Sequence, residues 1–400
     1  MGLFRSAALS ALLVLPLAVF GATLPPGNWH EPVRAALQRA IDRHTDDPDA
    51  YAVFDFDNTC AIGDCEHAAL GYVIDNLAFA FTPDELPGLF LEGMPDPDRP
   101  LEPGKGRATA RNVVADCADL YRELLEMKSR LPMEEVRRTD AFAAFAAKMR
   151  YLRKRISRTF GSGFGYPWSK RFYCRMTPPQ FMDTMRAALD AAVADGRFRR
   201  CVWRTPASRA ARSGCVEVQM FLGFAVPQEV KDLVKTLGES GISVYIVSGS
   251  FHDAVLAGSG GRYGVAFPAE NVFGIHMKRD AEGRLAGWSD DRFPLPWADG
   301  KPDVIRSHIA VRHHGKGPIL VAGDANGDYA MLTAFADMEA GLVFDTRPDA
   351  DSPLGRLVAA ARAGKGDVRY LVQGRDETLP GLRKSSESIL VQQTVQGDRP

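Results

Sequence analysis

The chain has almost no net charge. Lys and Arg number 49 against 50 Asp and Glu, so no basic excess marks a polyanionic partner such as a nucleic acid. No two of its six cysteines stand at CxxC spacing, which argues against a zinc site of the usual kind. No internal repeat is present. After residue 20 no run is long and apolar enough to cross a membrane.

The one apolar run lies at the start, in "MGLFRSAALSALLVLPLAVFGA". Arg5 precedes the stretch Ala7–Phe20, and small residues follow. The run falls short of the roughly 20 residues of a spanning helix, and Pro16 interrupts it. The pattern predicts a secretory signal peptide over residues 1–22, hence an exported, periplasmic or secreted, protein with no stable membrane span after processing. An even cysteine count in an exported chain permits disulfides. Cys201 with Cys215 is the favoured local pair, and buried thiols are the alternative.

What remains has ordinary globular composition, 46% hydrophobic and 25% charged, which allows roughly two or three domains. Residues 31–47 carry helical spacing at Val33, Ala36, Leu37 and Ile41. "YAVFDF" then reads as a short buried strand. Residues 65–224 are mostly helical. Val114, Cys117, Tyr121 and Leu124 share one face; Phe142, Phe145, Met149, Leu152 and Ile156 share another. Thr177, Pro178 and Gly196 mark the ends of a further helix with Phe181, Met185, Leu189 and Val193 inside. Arg150, Arg153, Lys154 and Arg155 read as a solvated helix face, or as a grip for phosphate. From 225 strands and helices alternate: "ISVYIVSGS", "GPILVAGDANGD" and "AGLVFDT" read as strands, and "VFGIHMKRDAEGRLAGW" as a hairpin turning near Glu282 and Gly283. Such alternation predicts an α/β fold with a doubly wound parallel sheet. The core is split into 23–64 and 225–383 by a helical insertion over 65–224. Residues 384–400 are expected to form a flexible tail.

Ligands of open α/β sheets bind outside the carboxyl ends of strands. Three such ends carry chemistry here: Asp55-Phe56-Asp57-Asn58-Thr59, Ser248-Gly249-Ser250, and Asp324 through Asp328. Lys301 precedes the helix before the third. Singly, each is an ordinary turn, cap or surface residue. Together they suit a phosphoryl group. Carboxylates from two strand ends can hold Mg²⁺. Asp55 can attack phosphorus, Asp57 can exchange protons with the leaving oxygen and with water, and Ser248 and Lys301 can hold the transferring oxygens.

These residues resemble the motifs of the haloacid dehalogenase superfamily, in its phosphoserine-phosphatase-like branch. "DFDNT" is similar to the nucleophile motif, "YIVSGS" to the hydrophobic strand with its serine, "GKPDVIRSHI" to the lysine motif and "VAGDANGD" to the terminal acid motif. The resemblance implies a Rossmann-like core with an inserted helical (C1-type) cap, a Mg²⁺ cofactor and an aspartyl-phosphate intermediate. It makes Asp55 the nucleophile and Asp57 the acid/base. Asp55 and Asp324, with the backbone carbonyl of Asp57, become metal ligands, and Asp328 a further ligand or a support for one. Thr59, Ser248, Gly249 and Lys301 become phosphate ligands. The expected substrate is a small phosphorylated metabolite.

"GYPWSKRFYCRMTPPQF" and "CVWRTPAS" resemble the large-cap exported group that includes phosphorylcholine phosphatases. Tyr166, Trp168, Phe172, Tyr173 and Trp203 would cage a quaternary ammonium, or pack the cap's own core. Asp64 or Glu66 would meet a substrate amine, or Asp64 would cap a helix. Phosphocholine and phosphoserine are therefore candidates beside a broad acid phosphatase or a phosphotransferase. A non-catalytic binding protein is the reading outside enzymes.

Overall fold

The computed structural model describes residues 22–397; the expected signal peptide up to residue 21 lies outside them. Six parallel strands form the central sheet: β1 (Tyr51–Phe54), β2 (Ser243–Phe251), β3 (Val272–Ile275), β4 (Leu320–Gly323), β5 (Ala340–Phe344) and β6 (Tyr370–Gln373). Their spatial order is β6-β5-β4-β1-β2-β3. β1 pairs with β2 on one side and β4 on the other, Val53 lying opposite both Tyr245 and Val321. The chain thus travels outward through β2 and β3, then returns to build the other half. Its direction reverses between β1 and β4, where such sheets open a crevice at the strands' carboxyl ends.

Helices cover both faces, so the strands are apolar throughout, as parallel sheets require. Ala52 and Phe54 of β1 pack with Val33 and Leu37 of the helix Glu31–His44 and with Val230 and Leu233 of Gln228–Glu239. Tyr51 and Val53 point the other way, into a cluster with Ile305, Val321 and Leu354. Each Val, Leu, Ile or Phe among them, fully buried, contributes about 1.5–3 kcal/mol. This is the doubly wound α/β arrangement expected from the strand–helix alternation.

The insertion has a core of its own, built by the helices Cys65–Asn76, Ala110–Lys128 and Asp140–Phe160 around Leu70, Val114, Phe145 and Leu152. Inside it Lys148, fully buried, pairs with Asp116 at 2.7 Å, and Asp116 also accepts from the Ser213 backbone and hydroxyl. The helix Pro178–Asp195 begins with a capping box between Thr177 and Gln180 and ends at left-handed Gly196. Its Phe181, Met185 and Leu189 pack against the main sheet's cluster rather than the cap's. Val193, expected inside, is exposed. The cap also holds a hairpin, Arg199–Arg204 with Glu217–Leu222. The two chain crossings are laced together: Ile62–Gly63 pairs antiparallel with Phe224–Ala225. Gly63 has φ 98°, and a Cβ there would lie 2.0 Å from the Gly223 carbonyl oxygen, so only glycine fits.

Three expectations need correction. Residues 384–397 are not a loose tail. Ser388 bonds Asp345 through its backbone N–H (2.9 Å) and its hydroxyl, and Thr394–Gln396 adds a strand to the cap hairpin beside Arg200–Val202. A polar strand needs only a partner edge, which no local pattern reveals. The segment read as one hairpin divides: Val272–Ile275 joins the main sheet, and only Met277–Arg279 and Leu285–Ser289 pair antiparallel. No disulfide joins any of the six cysteines, all within the described residues; Cys201 is buried in the cap core whereas Cys215 is exposed. Among the described residues no helix is long and apolar enough to cross a membrane.

Candidate active site

β1 delivers Asp55 and the loop after it to the crevice. The chain turns at once: the Asn58 backbone is left-handed (φ 61°), and Cys60 and Ala61 donate back to the Phe56 carbonyl. This turn swings Thr59 beneath Asp55, its hydroxyl 3.4 Å from Asp55 Oδ2 and 3.3 Å from Asp324 Oδ1. The loop after β4 is held by Asp328, whose Oδ2 accepts from the backbones of Asp324 and Ala325, both at 3.0 Å. Asp328 lies against Gly323, where a Cβ would meet its side chain at 2.5 Å. Arg375 braces the first loop through the Asn58 carbonyl at 3.1 Å.

These loops bring Asp55, Asp324 and Asp328 together, with carboxylate oxygens within 4.8 Å of one another. Lys301, 2% exposed, reaches Asp55 at 2.7 Å and Asp328 at 2.6 Å. Burial works against its ammonium, but Asp328 and Asp55 outweigh burial and hold its pKa above the ordinary lysine value. Burial, opposed by Lys301, pushes the Asp55 carboxyl up to about 6. Asp324, 5% exposed, has no ion pair among the described residues, and burial with Asp328 and Asp55 nearby drives its carboxyl well above the usual range. Ionised together, these three buried carboxylates would exceed the one ammonium by two negative charges, which is why burial drives the acids toward their neutral forms. All-oxygen donors with that excess fit a divalent cation such as Mg²⁺.

The Asp57 carboxylate lies apart from that group. It accepts from the Ser250 hydroxyl at 2.5 Å and the Cys65 backbone at 2.8 Å. Burial, then the Asp64 charge, raises its carboxyl well above the usual range, against the pull of those hydrogen bonds. Of the residues expected to act on substrate, Asp55, Asp57, Ser248, Gly249, Lys301, Asp324 and Asp328 line one cavity of about 320 Å³. Thr59 sits beneath it.

The cap residues divide. Asp64 lines the cavity and also caps the helix Cys65–Asn76, accepting from the His67 backbone at 2.9 Å. Burial opposes its ionisation, yet His67 and Arg153 hold its carboxyl below the ordinary range. Glu66 does not line the cavity: it is buried, pairs with buried Lys170 and accepts from the Phe251 backbone. Trp168 and Trp203 do not reach the cavity either. Trp168 is in the cap core, donating to the Phe90 carbonyl at 2.9 Å, and Trp203 lies under the Arg150 guanidinium at 4.3 Å. Phe172 shares that core, and Tyr173 packs beside Phe181. Of the five aromatics expected as a cage, only Tyr166 lines the cavity; helical spacing alone cannot tell a core tryptophan from a lining one.

The role of Ser250 and the presence of Trp297 at the cavity escaped the sequence reading. Ser250, named only as part of its strand end, holds Asp57, as β2 runs on to Phe251 with a register shift after Val247. Trp297 closes the cavity from the core side, its ring 5.7 Å from Tyr166 of the cap. It sits in a connecting segment with no periodicity, and its only signal is nearness to Lys301.

No protein-family model matches the chain, and no curated protein matches it. Among solved structures it is similar to a conserved protein of unknown function from Anaerococcus prevotii, with 28% identity over 92% of this chain and 98% of that one, at a TM-score of 0.82. Further structures include a protein of unknown function from Bordetella pertussis (12% identity, 80% and 97% covered, TM-score 0.40). A phosphoserine phosphohydrolase-like protein from Francisella tularensis gives 12% identity, 77% and 92% covered, and a TM-score of 0.31.

Proposed function

We propose that the chain is a metal-dependent phosphomonoesterase of the haloacid dehalogenase type, acting on a small phosphorylated metabolite after export. The observation that carries this reading is the buried cluster of Asp55, Asp324 and Asp328 around Lys301, two positive charges short once ionised, at the switch point of the sheet.

Asp55, Asp324 and Asp328 would hold the metal, which when bound would supply the missing positive charge and let a phosphate dianion approach a carboxylate. Asp55 is the nucleophile: one oxygen bonds to phosphorus as the bond to the leaving oxygen breaks. Asp57, oriented by Ser250 and the Cys65 backbone, gives its proton to that leaving oxygen. In the second half, water attacks phosphorus and passes a proton to Asp57. The Asp55–phosphorus bond breaks, releasing inorganic phosphate and restoring both acids. Lys301 and the Ser248 loop steady the transferring oxygens. Tyr166 and Trp297 narrow the entrance and limit water.

The test is phosphate release by the mature protein with Mg²⁺ across a panel of phosphocholine, phosphoserine, phosphoethanolamine and sugar phosphates. Turnover that vanishes in Asp55→Asn and on chelation is expected. Release of no phosphate from any ester sinks the reading. Recovery of a mature chain lacking about the first 22 residues from the exported fraction tests the localisation.

A further inference from the structure

Beyond Tyr166 lies a second cavity, of about 270 Å³, between the cap helix Asp140–Phe160 and the hairpin strand Glu217–Leu222. Tyr166 lines both cavities, with one face toward Trp297 and the catalytic acids. The Arg153 guanidinium stands 6.0 Å from the same ring. Arg153, Lys154, Arg158 and Arg200 all line the second cavity, and no acidic residue does.

These cations are poorly compensated. Among the described residues Arg153, Lys154 and Arg158 have no ion pair. The Lys154 ammonium donates only to the Gln219 carbonyl, at 2.5 Å. Arg200 donates to the Val391 carbonyl and shares a long 3.6 Å pair with Glu377. Asp64, facing the catalytic cavity, feels Arg153, which leaves the other three without an acid on the cavity wall. Burial, then the charges of Arg158, Arg155 and Arg200, holds the Lys154 pKa below the ordinary lysine value. Like charges gathered at a half-buried wall repel unless an anion is supplied. Paired guanidinium groups fit phosphate oxygens well.

We propose that this cavity is a second anion subsite for the substrate, so that the molecule hydrolysed carries a phosphate at each end. This rests on the phosphatase reading above. One phosphate lies at Asp55, the linker passes Tyr166, and the far phosphate is held by Arg153, Lys154, Arg158 and Arg200. A cationic head group finds no counterpart in this wall, whereas a dianion matches its excess charge.

The experiment compares bisphosphates of straight-chain diols with alkyl monophosphates of the same lengths, as a kcat/KM ratio at each length. A preference of tenfold or more, peaking at one chain length, is expected. Arg158→Ala, at an exposed position, and Arg200→Ala should each cut that ratio about ten- to a hundredfold, since hydrogen bonds to charged groups contribute about 1.5–3 kcal/mol. No preference at any length, or a preference indifferent to both substitutions, overturns the subsite.

Calorimetry on Asp55→Asn protein with the same bisphosphates separates the two readings. Binding weakened by Arg158→Ala, without turnover of any ester by the native chain, upholds the subsite and removes the phosphatase. Monophosphate hydrolysis with no bisphosphate preference does the reverse. Inorganic phosphate added to the monophosphate assay tests a free anion as occupant. An effect lost in Arg158→Ala, with no bisphosphate preference, overturns the assignment to substrate.

Discussion

Replacing Lys301 with methionine removes the only cation paired, among the described residues, with Asp55 and Asp328 and keeps most of the side chain's volume. The contacts are 2.7 and 2.6 Å. At an effective dielectric of about 20, each is worth about 6 kcal/mol of gross attraction. Against that stands the several-kcal/mol cost of burying the ammonium. The net loss expected for leaving two carboxylates unpaired is about 3–5 kcal/mol. The variant then has three buried acids and no compensating charge, so a divalent cation should stabilise it more than it stabilises the native chain. A metal at a hundred times its Kd adds about 2.7 kcal/mol. Urea unfolding with chelator and with Mg²⁺ reads both quantities. A loss below about 1 kcal/mol in chelator, or equal metal stabilisation of the two proteins, would refute the charge-deficit argument.

Asp57→Asn should cut turnover about 10²- to 10⁴-fold for alkyl phosphates, and less for p-nitrophenyl phosphate, whose leaving oxygen needs little protonation; equal losses would show that Asp57 is not the acid. Lys148→Met removes the one buried cation beside Asp116, leaving it only the longer 3.3 Å pair with exposed Arg212 and the Ser213 hydrogen bonds, and should destabilise the cap by about 3 kcal/mol in urea unfolding. Burial opposes ionisation of Asp116, yet Lys148 and Ser213 depress its carboxyl below 3.8. A depressed folded value gives stability that is present above the unfolded value and lost as pH falls through the folded one, so the gap between variant and native chain should narrow below pH 3.8. Gly63→Ala places a methyl group 2.0 Å from the Gly223 oxygen and should cost at least about 1–3 kcal/mol; a melting temperature equal to that of the native chain would show that the crossing can open.

The core was legible where an apolar strand runs straight into polar chemistry. Val53 and Phe54 before Asp55, and Ala322 and Gly323 before Asp324, announce both a strand and its functional end. Lys301 was legible through its place before the helical run into β4. The rest depended on pairings distant in sequence. Thr394–Gln396 is strand only because Arg200–Val202 offers an edge, and Trp297 matters only because the cap brings Tyr166 to it. Arg150 and Arg153 sit three apart on one helix, yet one is buried against Trp203 and paired with Asp75 while the other lines the second cavity with no ion pair among the described residues. Charge alone reads both as solvated, and only the packing of the hairpin against that helix parts them.

An inserted domain joined at two adjacent strands can swing like a door on one edge. The last residues change that mechanics. Ser388 is fastened to Asp345 beside β5, and six residues later the chain is woven into the cap hairpin. The lid is therefore moored on a second line, and a mooring admits small tilts more readily than wide arcs. Access to the acids would then scale with the slack between Ser388 and Thr394, so that shortening this stretch slows exchange of small molecules and loosening it leaves the acids wet.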